Sequence, residues 1–329
     1  MNKLFCCLFV CLILPLSADI VSDAIEMKPS SIIKCSPSGN SNGALSPSRA
    51  FHILKRNQEL QLLSGNYMGV VVVGKNKIIV SGDGKGKCNA VLRITSKDCV
   101  VRNLWIKRLI VQSNLVVLNS VIDFVQSENR HKGNQTAVFY NCCIRQVVNH
   151  NNDVKLVFIN CTFRNGGAVF DINSKTRLLF NDCVLDSGQF VFSIINSRTK
   201  KSKIYFKNSY MHGLSGIAVD SLMRKKSSVP AAYSIKEFKK MVNFNFTGIK
   251  PLKKAFFKVE LAELNKNSFD PEFFLQIKDS PCISAGIIPS KIPYLNKVEK
   301  EEPSQENLTQ SWEEKFNVVK NRLSEMLDE

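Results

Sequence analysis

Between Val101 and His212 the apolar residues fall in short runs, and each run is closed by an Asn or Asp. After that polar residue come a small or apolar residue, a variable one, a bulky apolar one and, fifth, a charged or ionisable one. The pattern occurs as Asn103-Leu104-Trp105-Ile106-Lys107, Asn119-Ser120-Val121-Ile122-Asp123 and Asn141-Cys142-Cys143-Ile144-Arg145. It returns as Asn160-Cys161-Thr162-Phe163-Arg164, Asp182-Cys183-Val184-Leu185-Asp186 and Asn208-Ser209-Tyr210-Met211-His212. The first residues lie 16, 22, 19, 22 and 26 positions apart. Strand-like runs repeating at about 21 residues predict a β-solenoid, in which each repeat is one coil and stacking buries a shared core. Corners are expected at Gly166-Gly167, Gly188 and Gly213 to Gly216, followed by second strands at 147–148, 168–170, 190–192 and 217–219.

The flanks read differently. Residues 1–18 have Lys3, an apolar run from Leu4 to Leu14 and a small-residue site at Leu16-Ser17-Ala18, which predicts a secretory signal cleaved near Ala18. That run is short for a transmembrane helix, and no later segment is long enough. Residues 19–58 read as an irregular leader ending in a short helix at 47–55 that caps the first coil, with Ser46 or Ser48 as its N-cap. The coils are expected over 59–222, with Gly65-Asn66-Tyr67 as a turn and Gly82-Asp83-Gly84 as a corner between strands. A flanking and closing region covers 223–296, with a helix near 234–242. Residues 297–309 form a charged linker. Trp312, Phe316, Val319, Leu323 and Met326 then recur at heptad spacing, so residues 311–327 predict an amphipathic helix able to dock a protein partner.

Charge sharpens the picture. The net charge is +17. From Val298 onward nine acidic residues face four basic ones, net −5, which leaves +22 on the rest of the chain. Such a body attracts polyanions, and salt weakens the attraction. In-register stacking would gather Arg130, Lys132, Lys155, Lys175, Arg177, Arg198, Lys200, Lys201 and Lys203 from the polar loops onto one ridge. An acidic polysaccharide is the expected partner, and export argues against nucleic acid. The alternative is a set of charges that only solubilise the loops.

Eight of the eleven cysteines follow the signal segment. Cys142, Cys161 and Cys183 share a column with Ser120 and Ser209, which predicts a ladder of small buried side chains, with one disulfide as the alternative. No Cys or His spacing suggests zinc. Stacking also aligns the fifth motif residues Asp123, Arg145, Arg164, Asp186 and His212, expected on the outside. This row could hold an acidic sugar and supply a catalytic base, or it could be a ladder of offsetting charges. His52, His131 and His150 are scattered.

The segment Val157 to Phe163, the opening Gly65-Asn66-Tyr67, and Asp270-Pro271-Glu272-Phe273 with Ser280 to Gly286 resemble the right-handed parallel β-helix proteins of the pectin-lyase-like superfamily. The resemblance spans roughly Leu60 to Gly286 and implies an all-β fold. That superfamily holds lyases, glycosidases, esterases, adhesins and inactive binders, so it leaves three functions open. These are binding of an acidic polymer, catalysis as a polysaccharide lyase or glycoside hydrolase, and a non-catalytic surface interaction. No cofactor is expected, except that a lyase would use calcium or another cation to neutralise the substrate acid.

Overall fold

The computed structural model describes residues 21–39, 43–128, 135–149, 154–172, 176–195, 202–213, 216–220, 232–233, 235–241, 243–245, 249–251, 257, 270–277, 280 and 282–295. Residues 1–27 and 297–329 form one compact unit and residues 28–296 another. Of the first unit only a helical stretch at 21–26 is described. The signal segment, the linker and the helix expected at 311–327 lie outside the described residues.

The second unit is a parallel β-solenoid. One sheet, sheet A, has ten strands and runs from Ile32–Cys35 through Glu59–Leu62, Ile79–Gly82, Cys99–Arg102, Leu115–Leu118, Gln135–Tyr140, Val154–Ile159, Arg177–Asn181 and Lys203–Lys207 to Asn243–Asn245. The other, sheet B, has thirteen, beginning at Gly65–Val73. Among the described strands every pairing is parallel except Gly216–Asp220 with Ala232–Tyr233. Stacking is in strict register on sheet A: Phe139 lies opposite Phe158, Phe158 opposite Phe180, and Phe180 opposite Phe206. Their rings stack inside the coil, with centroids 5.0, 5.3 and 4.6 Å apart. Offset aromatic stacks of this kind add to the burial that holds the core.

Six successive rungs pass from sheet A to sheet B through a single left-handed residue. Asn103, Asn119, Asn141, Asn160, Asp182 and Asn208, the six residues that open the sequence motif, have φ of 51, 47, 53, 50, 50 and 45°. Asn and Asp tolerate this region better than other residues with a Cβ, because their short polar side chains bond locally. The next residue locks the bend. Ser120 Oγ donates to the Leu118 carbonyl at 2.7 Å and Ser209 Oγ to the Lys207 carbonyl at 2.8 Å. The thiols of Cys142, Cys161 and Cys183 do the same toward Tyr140, Ile159 and Asn181 at 3.3, 3.3 and 3.2 Å. This explains why five of the six positions in the column, all but Leu104, are Ser or Cys. The eight described cysteines are all buried and free, as a ladder requires of its members.

The ends are closed by helices. Pro47–Ile53 buries Ala50, and Leu54 behind it, at the first rungs. Its N-cap is Ser46, whose side chain makes no capping bond. At the far end, Ile235–Met241 stacks Phe238 on Phe192 at 5.1 Å.

Four expectations change. The leader is not wholly irregular: Ile32–Cys35 pairs with Glu59–Leu62 and starts sheet A. Gly65-Asn66-Tyr67 is not a turn but the start of a nine-residue strand, opened by Gly65 at φ +143°. The rungs at Trp105–Val111, Val121–Ser127 and Cys143–Asn149 run straight through the expected corner, because the glycine corners begin only at Gly166. The repeat also outlasts Asp220: Asn243–Asn245 pairs with Lys203–Lys207 and Ile249–Pro251 with Ser209–Gly213.

A segment near the C-terminal end of this unit then runs back along the Asn corners. The Gly286 N–H donates to the Asp182 carbonyl at 2.8 Å and the Ile287 N–H to Thr162 Oγ1 at 3.0 Å. Further along, the Ile288 N–H donates to Asn141 Oδ1 at 2.6 Å, and Tyr294 Oη donates to the Asn103 carbonyl at 2.9 Å. The approach is close enough that a Cβ on Gly82 would collide with Tyr294 Oη and the Asn103 carbonyl.

Asn141 therefore carries two jobs, the left-handed bend and a side-chain anchor for both Ile288 and Asn119, the latter at 2.8 Å. Asn141→Ala is expected to lower stability by about 2 to 3 kcal/mol, and Asn141→Gly to recover roughly 1 kcal/mol of that by relieving the backbone. Denaturant melts of the three proteins check this, and equal losses in both variants would mean that the bend itself costs nothing.

Burial also governs the thiols. It pushes the Cys88 thiol up to about 12 and the Cys35 thiol up to about 11. A raised pKa leaves little thiolate at pH 8, and the thiolate is the reactive form. Native protein should resist a thiol reagent at that pH, while denaturant-unfolded mature protein should release all eight groups that follow the signal segment. Rapid titration of several thiols in the native state would contradict this arrangement.

Candidate functional site

The fifth motif residues do form one column on the outer face of sheet B. Register sets Arg145 beside Asp123, because Ile144 lies opposite Ile122 and Gln146 opposite Phe124. Arg164 lies opposite Asp186, and Asp186 opposite His212. Adjacent strands are about 4.8 Å apart, so each member meets the next.

The column has two halves of different character. In the far half, Arg164 Nε donates to Asp186 Oδ2 at 2.8 Å, and both side chains are only 1% exposed. His212 Nδ1 lies 2.7 Å from Asp186 Oδ1, so one carboxylate holds both neighbours. Arg164 Nη1 also donates to the Phe273 carbonyl, and its guanidinium sits 3.9 Å from the Phe257 ring centre. Cys282 and Ala285 pack with Phe257 on Val184 and Tyr210 beside it. The expectation of an outward row thus fails at Arg164 and Asp186, because Phe257, Phe273 and the returning segment cover them. His212 keeps 9% of its side chain exposed. In the near half, Arg145 pairs with Asp123 Oδ1 and keeps 35% of its side chain exposed.

In a buried pair of this kind each member has a partner, and removing one leaves the other stranded in a low dielectric. Arg164→Met is expected to cost about 3 to 5 kcal/mol, and the double change Arg164→Met with Asp186→Leu to regain much of it. Thermal melts of single and double variants test this, and additive losses would show that the two side chains are independent.

The basic ridge is described only in part. Arg130, Lys132, Lys175, Arg198, Lys200 and Lys201 lie outside the described residues. Lys155, Arg177 and Lys203 are described and fall in register at the start of three successive strands of sheet A. Each is half-buried. Burial pulls the Lys155 ammonium below the usual lysine range, and the neighbouring Arg177 charge pulls it the same way. Lys155 and Arg177 therefore stand close enough to repel.

Two residues belong beside the column that the row of five omits. Lys107 is the fifth residue of the motif opened by Asn103, and it stands next to Asp123 because Ile106 lies opposite Ile122. Lys87 precedes Cys88, which lies opposite Ile106. The motif position pointed to Lys107; Lys87 had no such signal, because the rung before it is bulged. The cover over Arg164 was also illegible, since Phe257 and Phe273 come from sequence with no repeat.

Among the described residues no group of three or more His, Cys, Asp or Glu side chains could hold a metal ion. None of the described helices is long and apolar enough to cross a membrane. No family model, no curated protein and no solved structure matches the chain. What fold and surface define is a class: a parallel β-solenoid with a column of ionisable residues on sheet B and a line of cations at one edge of sheet A.

Proposed function

We propose that the chain is an exported scaffold that binds an acidic polysaccharide along the loop edge of sheet A. The observation that carries this is the in-register line of Lys155, Arg177 and Lys203. Cations repeated at the strand spacing suit a linear polymer with regularly placed acidic groups, and each added contact raises affinity and salt dependence together. The six further basic residues of the ridge, Arg130, Lys132, Lys175, Arg198, Lys200 and Lys201, lengthen this line in the reading. The strongly basic body, +17 even with its acidic tail, favours the same class of ligand. The signal segment ending near Ala18 supports a ligand outside the cell, and so does the likeness of the repeat to the pectin-lyase-like superfamily. The amphipathic segment 311–327 serves a protein partner in this reading.

Binding of labelled polyuronate and sulfated polysaccharide to the mature protein tests it. Replacing Lys155, Arg177 and Lys203 together by Gln is expected to weaken binding by about tenfold or more and to flatten its salt dependence. Unchanged affinity in the triple variant, or equal binding of a neutral polysaccharide, would sink the ridge.

One arrangement favours the second reading, a polysaccharide lyase or glycoside hydrolase. His212 is oriented through Nδ1 by a buried carboxylate that Arg164 fixes in turn, the support a histidine base uses. In that reading His212 faces the substrate, Asp186 and Arg164 position it, and Asp123 with Arg145 holds the sugar acid. Fragments of shorter length appearing in the same incubations, and disappearing with His212→Gln, would select it.

A further inference from the structure

We propose that Lys87, Lys107 and Arg145, arranged round Asp123, form a binding site for one small oxyanion, a carboxylate or sulfate group. The site lies on the outer face of sheet B, and the inference does not rest on the reading of the sheet A edge.

The argument starts from the imbalance between the two halves of one column. In the far half Arg164 and His212 share Asp186, and apolar residues cover Arg164 and Asp186. In the near half three cations gather round a single carboxylate. Arg145 takes Asp123 Oδ1, Lys107 lies on the opposite side of Asp123 in the register, and Lys87 stands beside the same strand. Lys87 is attracted by Asp123 and repelled by both Arg145 and Lys107, so it senses all three. Burial pulls the Lys87 ammonium below the usual lysine range more strongly than any of these charges does. Counted over these four described groups the formal charge is +2, and the strands hold them together. Repulsion between fixed cations is relieved when an anion enters, and charge-assisted hydrogen bonds from ammonium and guanidinium groups are the strong kind.

A second feature points to the same chemistry. Trp105 stands beside Lys87 in the register and is steered edge-on by Tyr294, ring centres 5.6 Å apart. Its indole N–H is buried and has no hydrogen-bond partner. A buried donor without an acceptor is costly, and an oxygen-rich ligand in its neighbourhood offers one. The open half of the column is thus rich in donors, while its one carboxylate is already engaged by Arg145.

The test is titration of the mature protein with acetate, with sulfate and with neutral glucose, each against chloride at constant ionic strength. The Trp105 indole N–H resonance is the readout, assigned with a Trp312→Phe variant. Both anions are expected to shift it saturably, and glucose is expected to leave it in place. Lys107→Gln and Lys87→Gln should each weaken anion binding by about tenfold, while Lys107→Arg retains it. Lys203→Gln, on the other sheet, should change nothing, which separates failure here from failure of the sheet A ridge. Tighter binding of acetate assigns the site to carboxylates and tighter binding of sulfate to sulfate esters. A shift that does not saturate, that glucose reproduces, or that survives unchanged in both Gln variants overturns the proposal.

Discussion

Everything in the solenoid depends on the left-handed residue between the two sheets. A coil can stack on its neighbour in register only if every coil bends at the same place by the same amount. A residue with a Cβ held at a φ near 50° normally costs free energy. Here that cost is offset in two ways. The bending residue is Asn or Asp, and the Ser or Cys after it returns a hydrogen bond to the carbonyl just before the bend. Its own N–H donates to the next coil, as Asn141 does to Ile159 at 3.0 Å. Register, in turn, is what stacks the phenylalanines inside and lines up the charges outside.

This is why the fold was largely legible. A bend that favours Asn or Asp, followed in five of the six motifs by a small residue able to donate, leaves a recurring signature. The six motif openings are the six bending residues of this corner from Asn103 to Asn208. Where the signature is absent the reading weakened. Ile32–Cys35 sits before a helix and lacks the motif, so it read as leader. On the far side Asn243–Asn245 and Ile249–Pro251 are short and separated from the last motif by more than thirty residues, about one and a half repeats.

The site was legible in its column but not in its depth. Spacing alone aligned Asp123, Arg145, Arg164, Asp186 and His212. Whether a residue in such a column meets water depends on what else lies over it. Phe257 and the Phe273 carbonyl come from a part of the chain about a hundred residues beyond Arg164, with no periodicity to betray it. One column therefore divides into a sealed set of paired charges and an open set with surplus positive charge, and the sequence shows no border between them. The contrast between the halves gives the open half its chemical interest.

The returning segment has a mechanical meaning as well. Coils in a solenoid touch only their neighbours, so stability ordinarily adds rung by rung and the ends can fray alone. Here one short stretch, Gly286 to Tyr294, grips corners at Asp182, Thr162, Asn141 and Asn103. It acts as a tie-rod across rungs that otherwise communicate only through intermediates. Releasing it at one end loosens corners far apart in the stack at once. A nearest-neighbour array becomes a longer cooperative unit, whose last step in folding is the fastening of a strap that can lie down only after the corners beneath it exist.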